Sequence, residues 1–174
     1  MSMILVTPLS AVLDTIRASR PSHLVTLLSP EFMIGTPEGI AAERHLRLGL
    51  NDIADPGMGN APPAARHVAQ LIAFARGWDG THPILMHCWA GVSRSMAAAF
   101  TVLCDHYGPG SENDLAQEMR SRAPHAAPNR LLVHLADNAL NREGRMIRAV
   151  EGMGPCHMVE EGIPVEFPLT ILTP

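Results

Sequence analysis

Residues 83–95 read PILMHCWAGVSRS, a sequence in which a strand pattern, a short loop and the start of a helix follow one another. The apolar run at 83–87 predicts a buried strand, and a helical pattern of apolar residues follows from 95 to 107. Five residues, one of them a glycine, separate Cys88 from Arg94, which leaves enough chain for a tight curl between strand and helix. Such a loop directs successive main-chain N–H groups toward one point, beside the positive end of the helix. The stretch therefore predicts an anion-binding loop.

The side chains around this loop are suited to chemistry on a bound tetrahedral anion. The N–H groups and the helix N-terminus favour a thiolate on Cys88, which makes it a candidate nucleophile. Arg94 can hold two oxygens of the anion with its planar guanidinium. Ser95 can donate a hydrogen bond to the sulfur, and His87 is expected to fix the loop through backbone groups. A purely packing role at the end of a strand is the alternative for Cys88.

The order His-Cys, five residues, Arg-Ser resembles the signature of the cysteine-dependent protein tyrosine and dual-specificity phosphatases. The resemblance is firm over residues 45–107, extends to about 140 and is absent from the C-terminal tail. It implies a phosphatase-like α/β fold, a small single-domain member of bacterial type and a phosphocysteine intermediate on Cys88, with no cofactor and no metal. The phosphate-binding loop that it implies comprises Trp89, Ala90, Gly91, Val92, Ser93 and Arg94.

The same family supplies a general acid, an aspartate on a neighbouring loop, and residues 48–52 (LGLND) resemble that segment. Asp52 stands 36 residues before Cys88, which fits one intervening loop, helix and strand. Asp55 is the competing candidate. It precedes a Pro-Gly pair, however, and an aspartate in that place commonly forms a turn. We therefore favour Asp52 as the acid and keep Asp55 as the alternative.

Asn129 has two interpretations. Arg122 followed by Pro128 and Asn129 looks similar to a stretch of the dual-specificity phosphatases, which implies that Asn129 positions the attacking water. Asparagine is also a preferred helix cap, and an apolar helical pattern begins directly after it. The sequence leaves both roles open. Trp89 likewise either forms part of the pocket wall or packs beneath the loop.

The rest of the chain alternates between strand-like and helical patterns, which predicts a central, mostly parallel sheet of four to five strands flanked by helices. The predicted strands are 3–7, 23–28, 45–50 and 83–87. Helical patterns dominate the C-terminal half as far as residue 150. Residues 1–150 are therefore expected to form one catalytic domain. Residues 151–174 form an irregular tail that packs on it or adds an edge strand.

Composition excludes several functions. All 13 basic residues are arginine, and a chain without lysine can form neither a Walker A loop nor a Schiff base. A net charge of −4 and 4% aromatic residues argue against a nucleic-acid partner. Neither a charged leader nor a membrane-length apolar run is present, so we expect a cytoplasmic protein without a membrane partner. The spacing of the cysteines and histidines predicts neither disulfides nor a metal site.

These observations lead to an expected function, phosphomonoester hydrolysis by a protein tyrosine phosphatase, with dual specificity left open. The substrate would be a phosphorylated protein or a small phosphomonoester. The loop residues WAGVS carry no basic side chain, and resemblance to the family then argues against multiply phosphorylated inositols. A rhodanese-like sulfurtransferase and a non-catalytic phosphopeptide-binding module are the alternatives. The oligomeric state is not indicated by the sequence.

Overall fold

The computed structural model of the chain describes residues 2–172. The expectations made for Met1 and for the last two residues of the 151–174 tail therefore lie outside the described residues. The described residues form one five-stranded sheet with strand order β3-β2-β4-β1-β5. The strands, in chain order, are β1 (Met3–Pro8), β2 (His23–Leu28), β3 (His45–Gly49), β4 (Ile84–Cys88) and β5 (Val165–Pro168).

The sheet is mostly parallel, as predicted. β1, β2, β3 and β4 run in the same direction, and β5 alone is antiparallel to its neighbour β1. The carboxyl ends of the four parallel strands consequently meet at one edge of the sheet. Open α/β sheets bind their ligands at that edge. Cys88, the last residue of β4, is opposite Pro8 of β1 at this edge.

Helices cover both faces of the sheet, which confirms the predicted α/β architecture with a helical C-terminal half. The helices are α1 (Val12–Ser19), α2 (Ala65–Arg76), α3 (Arg94–Tyr107), α4 (Glu112–Arg122), α5 (Arg130–Ala139) and α6 (Arg145–Glu151). On one face, Val12 and Ile16 of α1 pack against Leu5, Leu24 and Leu85 of the sheet. The other helices share the larger core on the opposite face.

α3 is the central helix of that larger core. Every residue from Arg94 to Cys104 is buried, including the polar Arg94, Ser95 and Thr101. A helix that is buried on all sides needs small and apolar residues, and the run MAAAF after Ser95 supplies them. The N-terminus of α3 is thus fixed from all sides, directly after the candidate loop.

The C-terminal segment returns across the loop edge of the sheet before it forms β5. The main-chain N–H of His157 donates to the carbonyl of Pro124 at 2.9 Å, and that of Gly162 donates to the carbonyl of Ala90 at 2.8 Å. β5 then pairs with β1 along the sheet edge. The tail was expected either to pack irregularly or to add an edge strand. In the structure, an irregular stretch comes first and the edge strand β5 follows it. Within residues 2–172, no helix is both long enough and apolar enough to cross a bilayer.

Candidate active site

The predicted loop lies between the last residue of β4, Cys88, and the first residue of α3, Arg94. Its central turn depends on Gly91, which has φ +69°. A Cβ atom on Gly91 would lie 2.6 Å from the main-chain nitrogen of Pro8. Glycine is therefore required at this position for two reasons, the left-handed backbone and the close approach of β1.

The loop carbonyls point outward and are bound by main-chain N–H groups from distant parts of the chain. The four pairs are Leu9 N to Trp89 O (3.1 Å), Gly162 N to Ala90 O (2.8 Å), Ala127 N to Val92 O (3.0 Å) and Asn129 N to Ser93 O (3.2 Å). The C=O and N–H of one trans peptide point in opposite directions. The N–H groups that follow these carbonyls are consequently directed into the loop, where they can cradle an anion.

Cys88 and Ser95 are in direct contact inside this cradle. The Sγ of Cys88 lies 3.1 Å from the Oγ of Ser95, and both side chains are buried. A hydroxyl at this distance can donate to a thiolate and stabilise its charge. The two residues thus form the predicted pair of sulfur and hydroxyl.

Arg94 connects the loop with the end of β3. Its guanidinium is buried, and Nη1 donates to the carbonyl of Leu50 at 2.9 Å. Its Nε is also buried but has no hydrogen-bond partner among residues 2–172. A buried, charged N–H group without a partner is costly, and an oxyanion bound in the loop would satisfy it. The unpartnered N–H makes Arg94 a candidate anion ligand.

Asp52 reaches the loop and Asp55 does not. The Oδ1 of Asp52 accepts hydrogen bonds from the Oγ of Ser93 at 2.7 Å and from Nδ2 of Asn129 at 2.8 Å. The Oδ1 of Asp55 accepts from the main-chain N–H of Gly57 at 2.9 Å, which is the turn that its Pro-Gly context predicts. Of the two candidate acids, Asp52 is the one that contacts the phosphate-binding loop.

Asn129 performs the helix-cap role and contacts Asp52 at the same time. Its Oδ1 accepts from the N–H of Leu132 at 2.9 Å and so caps α5. Its Nδ2 donates to Asp52 and also to the carbonyl of Ile53 at 3.2 Å. The helix-cap interpretation is therefore observed, while the role of Asn129 in positioning the attacking water stays a prediction.

His87 is buried at the base of the loop and belongs to a chain of hydrogen bonds. The Nε2 of His87 lies 2.7 Å from the hydroxyl of Thr26. The same hydroxyl lies 2.8 Å from Nε2 of His45, and the other ring nitrogen of His45, Nδ1, lies 2.9 Å from the hydroxyl of Thr36. Burial lowers the pKa of His87 to about 4 and that of His45 to about 4. Both rings are neutral at neutral pH, which suits a supporting role and not that of a charged acid.

Trp89 lies beside the loop and does not pack beneath it. Its side chain is 53% exposed, and its ring centroid lies 5.4 Å from that of Phe32, which is 56% exposed. This exposure contradicts packing beneath the loop, whereas the pocket-wall role of Trp89 stays a prediction. The pair forms an aromatic surface next to Cys88.

A cavity of about 570 Å³ opens on the other side of the loop, beside Asp52 and Ser93. Its wall also includes Arg130, Glu151 and Cys156.

The third thiol, Cys104, is fully buried in α3, and burial raises its pKa, so it stays protonated. Among residues 2–172 no group of three or more His, Cys, Asp or Glu side chains could hold a metal ion.

Sequence reasoning missed the contacts that hold the loop from outside. The N–H donors of Leu9, Ala127 and Gly162 carry no side-chain signal, so a motif cannot reveal them. The contact of Ser93 with Asp52 joins two segments far apart in the sequence. The contact of Thr26 with His87 could have been suspected from the sequence, because Thr26 is the single hydroxyl residue in the otherwise apolar end of the 23–28 strand.

No protein-family model and no curated protein matches the sequence. Solved structures do match. One is DUSP15, with a TM-score of 0.62 and 18% sequence identity; the match covers 87% of this chain and 92% of DUSP15. Another is the human tyrosine phosphatase-like serine/threonine/tyrosine-interacting protein, with a TM-score of 0.60 and 19% identity; the match covers 78% of this chain and 89% of that protein. PTPMT1 in complex with PI(5)P also matches, with a TM-score of 0.58 and 16% identity, over 84% of this chain and 94% of PTPMT1. The bacterial type stays a prediction, but the chain has the fold of the protein tyrosine and dual-specificity phosphatases.

Proposed function

We propose that the chain hydrolyses phosphomonoesters through a phosphocysteine intermediate, as a protein tyrosine or dual-specificity phosphatase. The observation that carries the proposal is the convergence of four groups on one loop. The Cys88 sulfur contacts Ser95, the Arg94 guanidinium retains an unpartnered N–H, and Asp52 is bonded to Ser93 of the same loop. The fold supports the proposal.

In the first step, the Cys88 thiolate attacks phosphorus and forms an S–P bond, while the bond from phosphorus to the ester oxygen breaks. Asp52 gives its proton to the departing oxygen, so the product leaves as an alcohol or phenol. Arg94 and the inward N–H groups of the loop hold the three equatorial oxygens of the transition state.

In the second step, Asp52 is a carboxylate and takes a proton from water. The resulting hydroxide attacks phosphorus, the S–P bond breaks, and inorganic phosphate is released. The hydroxyl of Ser95, 3.1 Å from the sulfur, stabilises the departing thiolate. Asp52 ends protonated and Cys88 ends as a thiolate, so the cycle closes without a cofactor or a metal ion.

The substrate is a phosphorylated protein or a small phosphomonoester. The exposed pair of Phe32 and Trp89 beside the nucleophile supports an aromatic leaving group, because a phenyl ring gains contact area there. The open cavity on the Asp52 side leaves room for larger esters as well. Phosphotyrosine therefore fits, and phosphoserine and phosphothreonine remain compatible with the site.

The test is hydrolysis of p-nitrophenyl phosphate, combined with trapping of the phosphocysteine in a single turnover. Cys88→Ser is expected to lose turnover, whereas Cys104→Ala, which removes a buried thiol outside the loop, keeps it. Turnover by Cys88→Ser at the parent rate would contradict the proposed mechanism. Sulfur transfer from thiosulfate without phosphatase activity would favour a rhodanese-like enzyme. Tight binding of phosphopeptides without turnover would favour a binding module.

A further inference from the structure

The exposed apolar side chains of this protein are concentrated around the phosphate-binding loop. Within residues 2–172, seven large apolar side chains are exposed, and one of them, Leu13, belongs to α1. The other six lie on segments at the carboxyl edge of the sheet or on the C-terminal segment that crosses it. We call these six the apolar rim: Phe32, Met58, Trp89, Met158, Val159 and Ile163.

One aromatic contact and two main-chain hydrogen bonds fix the segments that carry five of the six rim residues. Phe32 touches Trp89, the residue after the nucleophile, with 5.4 Å between ring centroids. The stretch with Met158 and Val159 is fixed at both ends, by the bond of His157 to Pro124 and by that of Gly162 to Ala90 in the loop. Ile163 follows Gly162 directly. The segments that carry these side chains are therefore attached to, or part of, the loop where a phosphate ester would bind.

The segments that carry the apolar rim are acidic. Residues 29–34, 51–64, 89–93 and 157–164 contain five carboxylates and no arginine or lysine. The carboxylates are Glu31, Asp52, Asp55, Glu160 and Glu161, and all five are exposed. In the described part of the chain, none of them lies within 4.0 Å of a basic side chain, so no ion pair neutralises them.

We propose that the apolar rim binds a segment of a phosphoprotein in which apolar and basic residues flank the phosphorylated residue. The inference rests on the proposed function and defines its substrate class. Apolar side chains of the segment cover the rim and bury surface that is otherwise exposed. Lysine or arginine of the segment faces Glu31, Glu160 and Glu161, while the phosphate occupies the loop.

Charge distinguishes this partner from a membrane. An apolar rim could also rest on a lipid surface, but a cytoplasmic leaflet is negatively charged and attracts basic segments. The rim segments carry carboxylates only, so an anionic surface repels them. The basic phosphopeptide is therefore the occupant whose charge complements the rim.

The experiment compares three phosphotyrosine peptides of equal length. The first has leucine and arginine flanks, the second leucine and glutamate, and the third serine and arginine. The first should have the lowest KM, roughly tenfold below the second, with little change in kcat, because exposed carboxylates attract the basic flank before the chemistry begins. High salt should reduce the difference between the first two peptides.

Variants assign the effect to the rim. The first double variant combines Glu31→Gln and Glu160→Gln, and the second combines Met158→Ser and Ile163→Ser. Each should raise KM for the first peptide several-fold. Turnover of p-nitrophenyl phosphate, which is too small to reach the rim charges, should stay at the parent value in both variants. Glu143→Gln is the matched control, since this exposed glutamate lies between α5 and α6, outside the rim segments.

The outcomes separate the inference from the proposed function. If the wild-type protein does not hydrolyse p-nitrophenyl phosphate, the proposed function itself is contradicted. With that turnover intact, equal KM values for the three peptides would overturn the inference. A higher kcat/KM for a phosphoinositide in anionic vesicles than for the basic peptide would also overturn it, in favour of a lipid substrate.

Discussion

The side-chain amide of Asn129 holds Asp52 with one end and α5 with the other. Nδ2 donates to Oδ1 of Asp52 at 2.8 Å, and Oδ1 accepts from the N–H of Leu132 at 2.9 Å. The position of the candidate acid is thereby tied to the start of a helix. A loop aspartate that is exposed to solvent would otherwise sample many positions, few of them productive.

Two substitutions at Asn129 should separate these roles. Serine is a good helix cap but is too short to reach Asp52, so Asn129→Ser should lower kcat about tenfold with little loss of stability. Asn129→Ala loses the cap as well and should also lower the free energy of unfolding by about 1 kcal/mol. Steady-state kinetics and urea unfolding measure the two effects. A parent kcat in Asn129→Ser would show that the contact with Asp52 has no catalytic role.

The two candidate acids are distinguished by Asp52→Asn and Asp55→Asn. Removal of the acid should lower kcat about 10²- to 10⁴-fold for an ester with a poor leaving group. The loss should be much smaller for a fluorinated aryl phosphate, whose leaving oxygen needs no proton. We expect this pattern for Asp52 and an almost unchanged kcat for Asp55→Asn. The reverse result would assign the acid to Asp55.

Gly91→Ala should disable anion binding. The left-handed backbone and the approach of Pro8 N to 2.6 Å together should cost about 3 kcal/mol of the unfolding free energy, and the loop must shift. Gly110→Ala is the control, because Gly110 also has positive φ but open space around its Cβ position. The affinity for inorganic phosphate should fall in the first variant only. Unchanged phosphate affinity of Gly91→Ala would contradict the assignment of the loop.

The buried histidines predict how stability depends on pH. The folded pKa values of His45 and His87 are about 4, whereas the unfolded value is 6.5. Between these values the unfolded chain binds more protons, so the free energy of unfolding falls as the pH is lowered from about 6.5 toward 4. The slope for each histidine is at most about 1.4 kcal/mol per pH unit.

Burial also lowers the pKa of His23, His67 and His125, so His45→Gln removes one of five contributing rings and should make this decline shallower. His134→Gln, at an exposed position on α5, should leave the slope as it is in the parent protein. Urea unfolding at a series of pH values between 7 and 4.5 gives the comparison. If His45→Gln and the parent protein lose stability equally, His45 does not contribute to the pH dependence.

Local patterns were sufficient to predict the four parallel strands and the loop. The predicted strand 23–28 matches β2, and the prediction 83–87 differs from β4 by one residue at each end. These elements follow from short apolar runs bounded by turn residues, and both are visible in the sequence. The roles of Cys88 and Arg94 as loop residues could be predicted for the same reason, since their spacing is local.

Contacts between distant segments could not be predicted in this way. β5 has four residues and ends in a proline, and it forms a strand because β1 offers a free edge. The bond of Ser93 to Asp52 and that of Gly162 to Ala90 depend on how the folded segments meet. The sequence left Asn129 with two roles, because it does not show that both ends of the amide have partners.

The outward carbonyls of the phosphate-binding loop have a consequence for folding. Their partners begin at Leu9 and end at Gly162, so the closing contacts span nearly the whole chain. Contacts of such sequence separation form late, since the loop-closure entropy must be overcome first. The set of four bonds is complete only when the C-terminal segment has docked, since Gly162 supplies one of the four donors. A chain that lacks this segment would hold Cys88 in a loop with one carbonyl unbound, and phosphate affinity can serve as a probe for the completed native state.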